Sequence, residues 1–162
     1  MYKIGIITMS DKGSQGQRED LSGATIGEMV ANLGQVEQYR VISDDLEIIR
    51  STLIEFADEH KLDLILTTGG TGLSPRDNTP EATLSVIDRL VPGIAEAIRV
   101  ESLKKTPKAM LSRAVSGTRG KTLIINLPGS VKGVRECLAV VLPVLNHGLE
   151  ILSGKGGECG HP

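Results

Sequence analysis

The chain has no tryptophan and only three aromatic residues, Tyr2, Tyr39 and Phe56. That excludes a row of rings on which nucleic-acid bases could stack. With a net charge of −2 and a pI near 5.9, a nucleic-acid partner is not expected. There are two cysteines, Cys137 and Cys159, too few for a disulfide framework and without the paired spacing of a zinc site. Cys159 with His161 near the end of the chain supplies too few ligands to close such a site. No apolar run approaches the roughly 20 residues that span a bilayer, and the N-terminus lacks a signal-peptide layout. The expectation is a cytoplasmic protein without a membrane partner.

Glycine, by contrast, is plentiful at 19 of 162 residues, and it falls where apolar runs end. The length suits one domain, here residues 1–153, with a glycine-rich tail over 154–162 read as flexible. Apolar, β-branched runs over 3–10, 36–42, 62–68 and 122–127 read as strands. Helical spacing predicts helices over 24–33, 46–59, 80–90, 94–104 and 134–152, with Pro143 kinking or dividing the last. In the fourth of these, Ile94, Ala97, Ile98 and Leu103 are expected to face inward. Strands alternating with helices predict an α/β fold, a three-layer α/β/α sandwich around a largely parallel sheet.

The residues between these elements carry the chemistry. After the central strand come Gly69, Gly70, Thr71 and Gly72, then Arg76-Asp77, then Thr79-Pro80-Glu81, which reads as an N-cap, a first-turn proline and a first-turn acid. Glycines that permit left-handed turns expose backbone amides, and amides beside a helix N-terminus attract anions. Arg76 adds a cation there and Asp77 a carboxylate suited to Mg²⁺. A second turn, Asn126-Leu-Pro128-Gly129-Ser130, again feeds a strand into a helix, with Ser130 as N-cap. Ser10-Asp11 follows the first strand, and ligands of open parallel sheets bind where loops leave the carboxyl ends of strands. Ser43-Asp44-Asp45 follows the second strand; either aspartate can cap the next helix, which leaves the other for the site. Gly120-Lys121-Thr122 imitates the end of a phosphate-binding P-loop. It is rejected because Val115 stands where that loop needs glycine and a strand follows instead of a helix.

Charge is unevenly spread. Residues 99–135 hold nine basic residues and one acid, whereas residues 41–96 hold eleven acids and four bases. Folded together they would frame a site for a metal and polyphosphate, or simply form two solvated surfaces.

Thr67-Thr-Gly-Gly-Thr-Gly72 followed by Ser74-Pro-Arg-Asp-Asn-Thr-Pro-Glu-Ala-Thr83 resembles the signature of the MoaB/Mog family of molybdopterin-binding proteins, related to the gephyrin-type adenylyltransferase domain. Ser10-Asp11, Leu111-Ser112-Arg113 and the Asn126 to Ser130 turn match further motifs in the same order, with Val131 in place of an expected proline. The resemblance implies an enzyme of molybdenum cofactor biosynthesis, a nucleotidyltransferase that adenylylates molybdopterin with ATP and Mg²⁺ and releases pyrophosphate. It implies that Asp44, in preference to Asp45, works with Asp77 in catalysis and metal binding. It assigns Ser10, Asp11, Gly69, Gly70, Thr71, Gly72, Arg76, Ser112, Arg113, Asn126, Pro128, Gly129 and Ser130 to the substrate and nucleotide pocket. A homotrimer and a downstream metal-insertion partner are implied too. Relatives differ in whether they are enzymes, so a non-catalytic carrier or scaffold for molybdopterin is the alternative.

Overall fold

The computed structural model describes residues 1–156; the expectations for Cys159 and His161 lie outside the described residues. Six strands form one sheet in the order β2-β1-β3-β6-β5-β4. These are β1 (Tyr2–Met9), β2 (Gly34–Ile42), β3 (Leu64–Thr68), β4 (Arg89–Leu90), β5 (Ser116–Arg119) and β6 (Thr122–Leu127). β1, β2, β3 and β6 run parallel, while β5 runs antiparallel to both of its neighbours. The helices are α1 (Asp11–Ser14), α2 (Leu21–Met29), α3 (Leu46–Ile54), α4 (Thr79–Val86), α5 (Pro92–Leu103) and α6 (Val131–Ser153).

β3 shows why the sheet is covered on both faces. All five of its residues are buried, and a strand's side chains alternate between faces. Leu64 and Leu66 join Ile4, Ile6, Leu123 and Ile125 against Ile26 of α2, Ile98 of α5 and the apolar stripe of α6. Ile65 joins Ile7 and Ile124 against Ile49 and Leu53 of α3 and Val86 of α4. The result is the expected three-layer α/β/α sandwich with two cores.

α6 is long and apolar enough in composition to cross a membrane. Its buried residues Val134, Cys137, Leu138, Val141, Leu145 and Leu149 nevertheless recur at helical spacing and belong to the core beneath the sheet. It begins three residues earlier than expected, with the Ser130 hydroxyl capping the Gly133 amide at 3.0 Å as foreseen, and runs unbroken through Pro143.

Several local expectations are corrected. α2 starts at Leu21 because the Asp20 carboxylate caps it, accepting from the Gly23 amide at 2.9 Å. α3 ends at Ile54 and continues as a wider π turn over Glu55–Glu59. α4 stops at Val86, so Arg89–Leu90 is free to pair with β5, a strand that the glycine-containing run 116–120 had concealed. In α5, Ala95 and Ile98 are buried while Ala97 and Leu103 face out. Substitution of Leu66, fully buried in the larger core, by alanine is expected to lower stability by about 2–5 kcal/mol. Denaturant unfolding measures this, and a loss below about 1 kcal/mol would mean that this face is not close-packed.

Candidate functional site

The loops that leave β1, β3 and β6 meet at one edge because these strands are parallel neighbours in register. The closest approach is between the glycine loop after β3 and the turn after β6. The Gly69 amide donates to the Leu127 carbonyl at 3.2 Å, and the Thr68 hydroxyl donates to the Pro128 carbonyl at 2.6 Å. From the other side the Ser22 hydroxyl donates to the Gly129 carbonyl at 2.8 Å. A Cβ on Gly129 would stand 3.3 Å from the Gly69 Cα, so the two backbones pass nearly in contact.

Gly69 and Gly70 both have positive φ, 96° and 70°, whereas Gly72 does not, so the left-handed turn is confined to the first pair. A Cβ on Gly70 would fall 2.3 Å from the Thr79 hydroxyl. Thr79 itself is not the N-cap. It lies inside α4, and its hydroxyl turns back to donate to the Gly69 carbonyl at 2.9 Å, while Asn78 holds the cap position. Tertiary closure of the loop has taken the hydroxyl that the sequence assigned to capping.

Among the described residues, the amides of Gly70, Thr71, Gly72, Gly129 and Ser130 make no hydrogen bond to the protein. They form an amide ridge, with Gly69 withdrawn from it by its bond to Leu127. A cavity of about 350 Å³ lies on one flank, lined by Ser10, Arg18, Ser22, Thr68, Gly69 and Gly129 among others. A second, of about 370 Å³, lies on the other flank against Thr71, Gly72, Lys108, Ser112, Pro128 and Ser130. Both are of the size that small-molecule ligands occupy.

Acidic groups gather at the mouth. Asp11 and Asp44 exchange reciprocal bonds, the Asp11 amide to Asp44 Oδ2 at 3.1 Å and the Asp44 amide to Asp11 Oδ1 at 3.0 Å. Arg76 grips Asp11 with two bonds, Nη2 to Oδ1 at 2.8 Å and Nε to Oδ2 at 3.1 Å. That grip holds the Asp11 carboxyl below its usual range, while burial, together with the nearby Asp11 and Asp77 charges, pushes Asp44 up. Asp77 is folded into its own turn, accepting from the Ser74 amide at 2.9 Å, and its Oδ2 would lie 3.0 Å from a Cβ on Gly72. Asp45 caps α3 by accepting from the Ile48 amide at 3.1 Å, leaving Asp44 to face the loop.

Two other expected pocket residues are tied into the protein by their side chains. Asn126 is 1% exposed, and its side chain is consumed internally. Its amide nitrogen donates to the Thr67 and Thr83 hydroxyls, each at 3.0 Å, and its oxygen accepts from the Val115 amide at 3.1 Å. It joins β3, β6 and α4, and it lies at the wall of the second cavity beside Pro128 and Ser130. Arg113 also points its guanidinium at the protein, whereas Ser112 lines the second cavity. The basic segment is largely spent in this way: Arg113 pairs with Glu81, Arg119 with Asp58, and Arg99 donates to the Ala114 carbonyl at 2.8 Å. Sequence reasoning missed Thr68 and Ser22, which brace the second turn, and Asn78, whose amide donates to the Asp44 carbonyl at 2.9 Å. Thr68 and Asn78 stand inside the signature motif, but their bonding partners are distant in sequence.

Fold and site together define an α/β protein with a ridge of uncommitted backbone amides beside a carboxylate pair. The profile of the family described as "Probable molybdopterin binding domain" matches residues 5–147. A molybdopterin adenylyltransferase of Helicobacter pylori is 44% identical over 154 residues, covering 93% of this chain and 88% of that one. Gephyrin of Dictyostelium discoideum is 42% identical, with 94% of this chain matching 23% of that longer protein. The crystal structure of the molybdopterin biosynthesis enzyme MoaB from Thermus thermophilus superposes with a TM-score of 0.90 at 52% identity, covering 98% of this chain and 100% of that one. The chain belongs to the molybdopterin-binding domain family of MoaB, MogA and gephyrin.

Two measurements check the site's construction. Asn126→Leu keeps the volume but strands the Val115 amide and two threonine hydroxyls, and it is expected to cost about 2–4 kcal/mol in denaturant unfolding. A loss under about 1 kcal/mol would show that these bonds do not hold the ridge. Asp44→Asn removes a charge whose ionised form is disfavoured in the fold. A raised carboxyl contributes stability below the unfolded value and loses it as pH rises through the folded one. The variant is therefore expected to melt above the wild type at neutral pH, with the gap closing as pH falls through the carboxylate range. A gap that widens toward low pH would contradict the sign.

Proposed function

We propose that the protein is a molybdopterin adenylyltransferase of molybdenum cofactor biosynthesis. The observation that carries this reading is the ridge of uncommitted amides at Gly70 to Gly72 and Gly129 to Ser130, set between two ligand-sized cavities and beside Asp44 and Asp77. Family membership and the 44% identity to an adenylyltransferase over most of both chains support it.

In this reaction a phosphate oxygen of molybdopterin attacks the α-phosphorus of ATP. A new P–O bond forms, the bond to the β-phosphate bridge breaks, and pyrophosphate leaves. Such transfers ask the protein for alignment and charge stabilisation more than for covalent chemistry. We assign the nucleotide to the cavity beside Ser10 and the pterin to the one beside Ser112, so that their phosphates meet over the ridge. The Gly70 to Gly72 and Gly129 to Ser130 amides then donate to phosphate oxygens, as fixed dipoles that need not reorganise. Asp44 and Asp77 fit Mg²⁺. The described residues contain no cluster of three or more metal-binding side chains, and a pair of carboxylates sharing the ion with substrate phosphates is how Mg²⁺ is commonly held. When bound, the ion neutralises charge developing on the phosphates. Arg76, tied to Asp11, keeps that loop over the carboxylates. Cytoplasmic location, a homotrimer and hand-over to a metal-insertion partner complete the proposal.

Pyrophosphate release from ATP and Mg²⁺, with and without molybdopterin, is the test. Release should depend on the pterin and fall by about 100-fold or more in Asp77→Asn, whose circular dichroism should match the wild type. Full activity in Asp77→Asn removes that residue from the mechanism. Pterin binding without release in the wild type makes the protein a carrier instead.

A further inference from the structure

The glycine loop is pinned at its base, where Thr79 reaches back to Gly69 and Gly70, but its outer half, residues 72–77, projects from the fold with Leu73, Ser74 and Arg76 exposed. This half carries Asp77. Only one internal tie closes it, the Ser74–Asp77 turn with its two bonds of 2.9 Å. Arg76 adds a tie at the tip, its exposed pair of bonds to Asp11 across the mouth, which leaves the stem that carries Asp77 to open.

Arg113 prevents this from outside the loop. Its backbone amide donates to the Thr71 carbonyl at 2.9 Å. Its guanidinium then spans the loop's two ends, Nε to the Gly72 carbonyl and Nη2 to the Asp77 carbonyl, both at 2.8 Å. The remaining nitrogen, Nη1, pairs with Glu81 in the first turn of α4. The planar fork of arginine can bridge two carbonyls in fixed geometry, and the single ammonium of lysine cannot. Every nitrogen of the side chain thus has a protein acceptor, two of them on the loop that presents Asp77; the two N–H donors that remain sit on nitrogens already bonded to the loop and to Glu81, so the guanidinium is held in place by the bridge.

We infer that Arg113 is a positioning residue for Asp77, a clamp on the loop and not a cation that binds pterin or nucleotide. Its neighbour Ser112 lines the cavity, so adjacent residues divide the work: one faces the ligand, the other fixes the loop opposite. The catalytic consequence rests on the proposed adenylyl transfer; the mechanical one does not.

The test compares wild type, Arg113→Ala and Arg113→Lys by three readings: amide exchange across residues 70–79 without ligand, molybdopterin affinity, and the Mg²⁺ dependence of pyrophosphate release. The clamp predicts exchange at 73–78 faster by about tenfold or more with the sheet unchanged. It predicts a Mg²⁺ half-saturation raised about tenfold and kcat lowered about 100-fold. Molybdopterin affinity should stay within about twofold of the wild type, because the clamp serves the loop and not the ligand. Arg113→Lys keeps the charge beside Glu81 and should show the same loop opening; it also supplies the answer if Arg113→Ala does not fold. Affinity for molybdopterin weakened tenfold over an unmoved loop would overturn the clamp, as would exchange raised evenly across the whole sheet. A wild type without turnover would sink the adenylyltransferase reading, and loop exchange would still decide the clamp.

Discussion

The near-contact of two backbones, at Gly69 and Gly129, is the constraint on which the site depends. β3 and β6 pair in parallel as far as Thr68 and Leu127, and the next residues of both must turn away within the space of one peptide. The Gly69 amide reaching Leu127 and the Thr68 hydroxyl reaching Pro128 lock that exit. A Cβ on Gly129 would press on the Gly69 Cα at 3.3 Å, and one on Gly69, already at a left-handed φ of 96°, would meet the Met9 carbonyl of β1 at 2.6 Å. Because the two backbones do not part, amides from two loops lie on one ridge and the two cavities share it. Any chemistry that joins two phosphates needs this closeness, since orientation is most of what such a site supplies.

Around the ridge, charge is arranged by expense. Asp11 is partly exposed and held by Arg76, which makes its ionised form easy to keep. Asp44 is more deeply set, faces Asp11 and Asp77, and is costly to ionise. A divalent cation would relieve that cost, which is the physical link between the strained carboxylate and the proposed Mg²⁺. The basic segment does not face this corner with free cations. Arg99, Arg113 and Arg119 are bound to carbonyls and carboxylates, so the acidic and basic stretches meet chiefly as structural ties.

Much of this could be read before folding, and what could be read has a common property. Ser130 was legible as a cap because the bond it makes, to Gly133, spans three residues. The central strand and its glycine exit were legible because burial and left-handed φ leave marks in composition. The paired aspartates after β2 were legible only as a pair: both sit within reach of the first turn of α3, and local sequence does not say which turns inward. Thr79 misled, because a hydroxyl before a helix has a local partner available and the fold gave it a distant one. Ala97 and Leu103 misled because helical spacing gives a stripe without fixing how α5 is rotated against the sheet.

The sequence by itself determined the parallel α/β layering, the order of the loops at the strands' carboxyl ends, and the residues from which the family could be recognised. These follow from periodicity, turn preference and contacts a few residues long. Tertiary structure alone decided that Asp44 lies toward the glycine loop, that Asn126 ties β3, β6 and α4 together, and that the Arg113 guanidinium spans the two ends of that loop. Those roles are set by bonds across 34, 43 and 36 residues, from Asn78 to Asp44, Asn126 to Thr83 and Arg113 to Asp77. A polar side chain binds whichever partner strand register brings within about 3 Å, and register is a property of the assembled sheet.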